Sequence, residues 1–124
     1  MATPSATDIR IDPAKNRLYV ILRGSLSEDQ VLDAVDRVIA RAGELQPGFT
    51  VINDTASFQP TTPKGLEDFG QAHGYLLRAG MGREIRVVDQ KRTNGATAQT
   101  GRFAVESAGS VMEAETRLDQ SLAV

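Results

Sequence analysis

The chain has 124 residues, with 14 basic and 16 acidic side chains, a net charge of -2 and no cysteine. This length matches one domain, and the mixture of charged and apolar residues is typical of a chain that folds around a single core. The nearly balanced charge excludes nucleic acid as the expected partner, and the missing cysteine excludes disulfides and sulfur-ligated metals.

The amino terminus and the apolar runs predict the organisation of the chain. Residues 1–7 are polar and lack the basic and then apolar order of a signal peptide, so they are expected to form a flexible tail. Residues 8–124 are then one domain. No apolar run approaches the roughly 20 residues of a membrane span, and a cytoplasmic protein is predicted.

The domain opens with a predicted β-hairpin. Ile9 and Ile11 alternate with polar residues, and after a turn the run at residues 18–22 is apolar at every position. An uninterrupted apolar run is typical of a strand covered on both faces, so helices are expected on both sides of the sheet. Gly24 is predicted to end this second strand.

A first helix follows, with clear signals at both ends. Ser27 and Gln30 have the spacing of a capping box. Leu26 and Val31 have the spacing of a hydrophobic staple, and Gly43 is a suitable residue at the end of a helix. The apolar residues form one stripe with a period of about 3.6 residues. This stripe comprises Val31, Leu32, Val35, Val38, Ile39 and Ala42.

A second helix follows a predicted central strand at residues 49–54 and a polar loop. Thr62 suits the N-cap of this helix, and Pro63 suits its first position. Gly70 and Gly74 each lower the helix propensity by about 1 kcal/mol relative to alanine, so packing on the sheet must stabilise the helix. The buried face of the helix is expected to comprise Leu66, Phe69, His73, Leu76 and Leu77.

The last third of the chain predicts a strand at residues 84–89 and a terminal helix at residues 110–122, where Ser110 and Glu113 form a second capping box. Residues 102–107 alternate like a short strand but also fit one helical turn, and the strand is preferred. The predicted fold is therefore an α/β domain with a mixed, mostly parallel sheet that is opened by a β-hairpin. It has roughly four or five strands and three or four helices.

The element order and three local motifs resemble the STAS fold of SpoIIAA-like anti-sigma-factor antagonist domains over roughly residues 8–122. The motifs are the opening hairpin, the strand at residues 51–54 that leads through Phe58 to Gly65, and the start of the last helix at residues 110–115. The resemblance implies a SpoIIAA-like mixed sheet and suggests a domain that interacts with other proteins.

The chain departs from this family at the phosphorylation motif. In the signalling members, an Asp-Ser-Ser-Gly sequence at the start of the second helix carries the serine that a kinase phosphorylates. Counted from Asp54, this motif falls on residues 62–65, where Pro63 and Lys64 replace the serines. The phosphoswitch is therefore not expected here. The segment at residues 90–109 is also short for the family, so a third helix there is expected to be reduced or lost.

The loop from Asp54 to Lys64 is the first candidate binding site, because ligands of parallel sheets bind beyond the carboxyl ends of the strands. The alternative is that Asp54 and Thr62 only turn and cap the backbone. A phosphate on Thr61 or Thr62 would lie near a helix N-terminus, so modification there stays open. The candidate binding residues are Asp54, Thr55, Ser57, Phe58, Thr61, Thr62, Lys64 and His73.

Two hypotheses of function follow. No nucleophile is spaced to work with His73, the single histidine, so no catalytic residue, cofactor or metal is predicted. The first hypothesis is a non-enzymatic domain that binds a protein partner, or itself as a homodimer, through residues 54–64 and the second helix. The alternative is a domain that binds or carries a small apolar ligand. Its pocket would be lined by Phe58, Phe69, His73, Tyr75 and Met81.

Overall fold

The computed structural model of the protein describes residues 5–88 and 106–122. Within these residues, the strands and helices follow the predicted order, with one additional strand before the second helix. The elements are β1 (Ala6–Asp12), β2 (Arg17–Leu26), α1 (Glu28–Ala42), β3 (Thr50–Asp54), β4 (Phe58–Pro60), α2 (Pro63–Ala79), β5 (Arg83–Val87), β6 (Glu106–Ala108) and α3 (Val111–Leu122). The predicted strand end at Asp89, the reduced third helix and residues 102–105 lie outside the described residues, whereas Glu106 and Ser107 belong to β6.

The strands form one six-stranded sheet, whose main path runs β1-β2-β3-β5-β6. β1 and β2 are antiparallel, and the other described pairs are parallel. The crossover from β2 to β3 passes through α1, and the crossover from β3 to β5 passes through α2. The predicted α/β fold, with a mostly parallel sheet opened by a hairpin, is confirmed. β1 begins at Ala6, so Ala6 and Thr7, which the sequence assigns to a flexible tail, are paired with β2.

The prediction that Gly24 ends β2 is wrong. This residue does not end the strand, because β2 continues to Leu26 and its last residues pair with β4. Gly24 has a φ of 77°, a conformation that other residues adopt only with strain. It is the first residue of β2 that pairs with β4, whereas the earlier part of β2 pairs with β3. β4 is not predicted by the sequence, because three residues that end in Pro60 show no readable period.

Helices cover both faces of the sheet, as the apolar run at residues 18–22 predicts. Leu18, Val20 and Leu22 pack with α1 and α2 in one core, whereas Tyr19 packs with α3 in a second core. Side chains alternate between the two faces of a strand, so a strand with a core on each side is apolar throughout.

The capping boxes that the sequence predicts are formed in two different ways. In α1, the Ser27 hydroxyl accepts from the Gln30 amide at 3.2 Å, and the Gln30 side chain accepts from the Ser27 amide at 2.8 Å. In α3, the Ser110 hydroxyl accepts from the Glu113 amide, but the Glu113 carboxylate accepts from Gly109 instead of Ser110. Both arrangements satisfy amides that the first turn of a helix leaves without partners.

Two residues of the predicted apolar helix faces are exposed. Leu32 of α1 is 41% exposed and Leu77 of α2 is 38% exposed, so the prediction that both lie in the core is wrong. Each follows a buried neighbour, Val31 or Leu76, and successive helical residues point about 100° apart. No helix within the described residues combines the length and the apolar character needed to cross a bilayer.

A polar cluster attaches α3 to the amino-terminal end of the sheet. The Arg17 guanidinium is 1% exposed and donates to the Asp119 carboxylate at 2.8 Å and to the Tyr19 hydroxyl at 3.4 Å. The Tyr19 hydroxyl in turn donates to Glu115 at 2.7 Å. The hydrogen bond from Arg17 lowers the pKa of Asp119, and burial raises the pKa of Tyr19. This cluster pairs the buried charge of Arg17 with Asp119 and connects α3 to the sheet.

Candidate ligand-binding cavity

A cavity of about 380 Å³ lies between α2 and the sheet, with one contact from α1. Its lining is mainly apolar but includes a group of polar side chains on β3, β5 and α2. The apolar residues are Val20, Val38, Val51, Phe58, Phe69, Ala72 and Leu76. The polar residues are Asn53, Thr55, His73, Glu84 and Arg86, and Gly70 completes the lining.

The register of the sheet explains why its polar residues meet at this cavity. Val20, Asn53 and Arg86 are direct neighbours across β2, β3 and β5. Val51 and Glu84 are neighbours two residues earlier in their strands. Residues in register, and residues two apart in one strand, project to the same face. All five side chains therefore project towards α2.

The opposite wall is the face of α2 that packs on the sheet. Phe69, His73 and Leu76 follow the helical spacing of that face, and Ala72 adds a small side chain. Gly70 adds none, and a Cβ atom placed there would have no neighbour within 4 Å. The small residues of α2 therefore leave part of the space between helix and sheet unfilled.

An aromatic pair closes the end of the cavity at the carboxyl ends of the strands. Phe58 lies in β4, where it pairs with Gly24 of β2, and Phe69 lies in α2. The two ring centroids are 5.3 Å apart and the ring planes are inclined by 57°. Tilted contacts at this distance are favourable for aromatic rings. The unpredicted strand β4 thus places Phe58 where it lines the cavity.

Glu84 is the centre of the polar group in the cavity wall. Its side chain is 2% exposed, and its Oε2 atom accepts from Asn53 Nδ2 at 3.2 Å. The Arg86 guanidinium lies 3.6 Å from Oε2, and His73 Nδ1 lies 3.1 Å from Oε1. A carboxylate is costly to bury unless charged or donor groups surround it, and these three side chains supply them.

The structure brings three of the predicted binding residues to the cavity. Phe58, Thr55 and His73 line it. Tyr75 and Met81, which the sequence suggests for an apolar pocket, are not part of the lining. Met81 is buried in the core between the sheet and α2, and Tyr75 packs against that core. Met81, which follows the end of α2, therefore packs in the core and does not line the cavity.

Asp54 lies on the opposite face of the sheet from the cavity. It follows Asn53, which faces the cavity, and side chains alternate along a strand. Its carboxylate lies 3.6 Å from the Arg23 guanidinium and accepts from the Ala56 amide at 3.5 Å. The contact with the Ala56 amide supports the turn after β3, and the contact with Arg23 pairs the charge of Asp54.

The remaining predicted residues lie at the start of α2 and outside the cavity. The Thr62 hydroxyl accepts a hydrogen bond from the Gly65 backbone amide, in the first turn of α2, at 3.0 Å. This contact confirms the predicted role of Thr62 as N-cap. The Lys64 ammonium donates a hydrogen bond to the Asp68 carboxylate at 3.2 Å, and this hydrogen bond raises the pKa of Lys64. Ser57 and Thr61 are exposed. These residues form the surface beside the cavity.

Asn53, Glu84 and Arg86 are the cavity residues that sequence reasoning missed. Glu84 and Arg86 alternate with Ile85 and Val87, and polar residues with this spacing in a buried parallel strand are the available signal. The signal was incomplete because only the register of β3 against β5 places Asn53 next to Arg86. Within the described residues, no three histidine or carboxylate side chains are grouped so that they could hold a metal ion.

Comparison with known proteins shows the fold of the chain. No family model matches it, and no curated protein sequence matches it. A crystal structure of an uncharacterised protein from Shewanella loihica PV-4, of the DUF3478 family and with a SpoIIAA-like fold, is similar over 95% of this chain and 98% of that chain. The TM-score is 0.63 and the sequence identity is 12%. The predicted resemblance is therefore confirmed at the level of fold: this chain has a SpoIIAA-like fold.

Proposed function

We propose that the protein is a non-enzymatic binding domain of SpoIIAA-like fold that holds a small, largely apolar ligand in the cavity beneath α2. The observation that carries this proposal is the cavity itself, whose 380 Å³ falls within the range of about 300 to 1,000 Å³ that is typical of small-molecule sites. Such sites combine mostly apolar walls with a few convergent polar groups. This cavity has apolar walls and one polar group around Glu84.

The composition of the lining supports binding rather than covalent catalysis. His73 and Glu84 lie 3.1 Å apart and could move a proton. Among the lining residues that the structure describes, however, there is neither a serine nor a cysteine, and Thr55 supplies the one hydroxyl group. Glu84 is held by Asn53, and this arrangement suits the recognition of a polar atom on a bound molecule.

Thermal denaturation with a panel of small aromatic hydrocarbons, alcohols, amines and acids tests this proposal. A molecule that binds only the folded state raises its stability, by about 2.7 kcal/mol at a concentration 100 times the dissociation constant. We expect a concentration-dependent rise in Tm with at least one class of the panel. No rise with any class would contradict the proposal.

A matched pair of variants locates the effect in the cavity. Gly70→Leu adds a side chain at a residue of the cavity lining, whereas Gly74→Leu makes the same change one helical turn later, at a residue outside the lining. We expect Gly70→Leu to abolish the ligand-induced rise in Tm and Gly74→Leu to retain it. Equal responses of the two variants would show that the ligand binds elsewhere.

A protein-binding face on α2 is the second candidate function, and the exposed Leu77 favours it. Leu77 is 38% exposed near the C-terminal end of α2, whereas Ser57, Thr61 and Lys64 are exposed at the other end of that helix. Exposed apolar side chains on a helix can contribute to protein interfaces, including those of homodimers. Sedimentation of the protein and of Leu77→Glu tests self-association. An unchanged monomer in both cases would argue against a homodimer.

A further inference from the structure

We infer that the ligand of the cavity carries a hydrogen-bond-donating head group, and specifically an amine that contacts Glu84. This inference rests on the proposed function, because it names the chemistry of the molecule that the cavity would hold. The observation behind it is that two buried acceptor atoms of the cavity wall accept no hydrogen bond within the described residues. They are Glu84 Oε1 and Asn53 Oδ1.

The two oxygens of the Glu84 carboxylate differ in the hydrogen bonds that they accept. Its Oε2 atom accepts from Asn53 Nδ2 at 3.2 Å and lies 3.6 Å from the Arg86 guanidinium. Its Oε1 atom is paired with His73 Nδ1 at 3.1 Å but accepts no hydrogen bond from the residues that the structure describes. A side chain that is 2% exposed has little access to water, and a donor group on a ligand in the cavity would supply the hydrogen bond that Oε1 can accept.

The orientation of the Asn53 amide is fixed by the same contact. With Nδ2 towards Glu84, the amide donates to the carboxylate; the reverse orientation would place two acceptor oxygens against each other. The Asn53 oxygen is therefore an acceptor, and it has no donor within the described residues. Asn53 and Glu84 lie on neighbouring strands and both line the cavity, so one ligand group with several N–H donors could serve both oxygens.

Charge distinguishes an amine from an acid at this position. A protonated amine supplies three donors and a positive charge that complements the buried Glu84 carboxylate, and charge-assisted hydrogen bonds are about twice as strong as neutral ones. A carboxylate ligand supplies no donor and is repelled by Glu84. Arg86 could attract an acid, but its side chain is 35% exposed, so water already reaches the guanidinium.

Calorimetric titration with four probes of one ring size tests the inference at neutral pH. The probes are phenethylamine, phenethyl alcohol, ethylbenzene and phenylacetate. We expect phenethylamine to bind at least about tenfold more tightly than ethylbenzene, as one charged hydrogen bond predicts. Phenethyl alcohol should lie between them, and phenylacetate should bind most weakly.

A substitution at Glu84 assigns the preference to its carboxylate. Glu84→Gln keeps the shape of the side chain but removes its charge, and we expect phenethylamine to lose its advantage over phenethyl alcohol. The matched control is Glu67→Gln, which makes the same change at an exposed residue of α2 outside the lining and should keep the wild-type order. If Glu84→Gln does not fold, the order of the four probes on the wild-type protein decides the question.

The possible results separate this inference from the proposed function. If ethylbenzene or phenylacetate binds as tightly as phenethylamine, the amine inference is overturned, whereas the cavity remains a ligand site. If none of the four probes binds, and the panel gives no rise in Tm, both the inference and the proposed function fail. An amine preference that survives in Glu84→Gln would also overturn the assignment to Glu84.

Discussion

Replacing Gly70 by alanine is predicted to stabilise the protein, although Gly70 lies in the lining of the proposed site. Gly70 is in the interior of α2, where glycine is less favourable than alanine by about 0.8 to 1.0 kcal/mol. A Cβ atom at this position would have no neighbour within 4 Å, so the gain in helix propensity is not opposed by a clash.

The expected size of the effect is a rise of about 1 kcal/mol in the free energy of unfolding. For a chain of this length, that change corresponds to a rise of roughly 3 to 5 °C in Tm. Urea denaturation followed by circular dichroism measures the free energy, and a thermal scan measures Tm. A methyl group is small against a cavity of about 380 Å³, so ligand binding is expected to persist.

Gly80→Ala is the matched comparison, and the opposite sign is expected. Gly80 ends α2 with a φ of 107°, and a Cβ atom there would lie 3.1 Å from the Pro47 Cα atom. Alanine would add strain of about 1 to 3 kcal/mol, so the free energy of unfolding should fall by a similar amount. The reasoning is refuted if Gly70→Ala destabilises the protein, or if the two variants behave alike.

Three further predictions concern the caps and charges of the fold, each measured by urea denaturation. Ser27→Ala removes the hydroxyl that caps α1 but keeps the backbone amide that donates to Gln30, and should lower the free energy of unfolding by about 1 kcal/mol. Arg17→Ala removes a buried side chain that attaches α3, and should lower it by about 2 to 3 kcal/mol. Arg37 is exposed, so Arg37→Ala should change the free energy of unfolding by less than about 0.5 kcal/mol. Equal losses for Arg17→Ala and Arg37→Ala would contradict the idea that burial makes Arg17 important for stability. The hydrogen bond from Arg83 lowers the pKa of Glu106, so its stabilising contribution is present above the ordinary value of 4.5 and is lost as the pH falls through the lower folded value. Glu106→Gln should therefore lose less stability on acidification than the wild type, and identical pH profiles would argue against this pair.

The local signals of the sequence predicted most of the elements. Ser27 with Gln30, and Thr62 with Pro63, mark the starts of α1 and α2, because caps satisfy backbone amides within a few residues of themselves. The apolar run at residues 18–22 correctly indicated a strand with a core on each face. These features depend on neighbours that are close in sequence, so they are readable without the fold.

The site was predicted only in part, because it depends on residues that are distant in sequence. The loop at residues 54–64 was a reasonable candidate, but the two-residue alternation of β3 turns Asp54 away from the cavity and Asn53 towards it. Glu84 became visible as a site residue only when the register of β5 placed it beneath His73. The polar residues of the site lie within the strands β3 and β5, whereas the predicted site lies in the loop that follows β3.

The sequence by itself determined the caps of the helices and the order of the elements other than β4, because short-range spacing specifies them, and its family resemblance indicated the SpoIIAA-like fold. The tertiary structure alone decided that β2 passes Gly24 to pair with β4, and that α2 leaves a cavity above the sheet. It also decided that Asn53 and Glu84, which are distant in sequence, share one hydrogen bond. Strand register and helix packing set these contacts, and both arise from the whole chain rather than from any one segment.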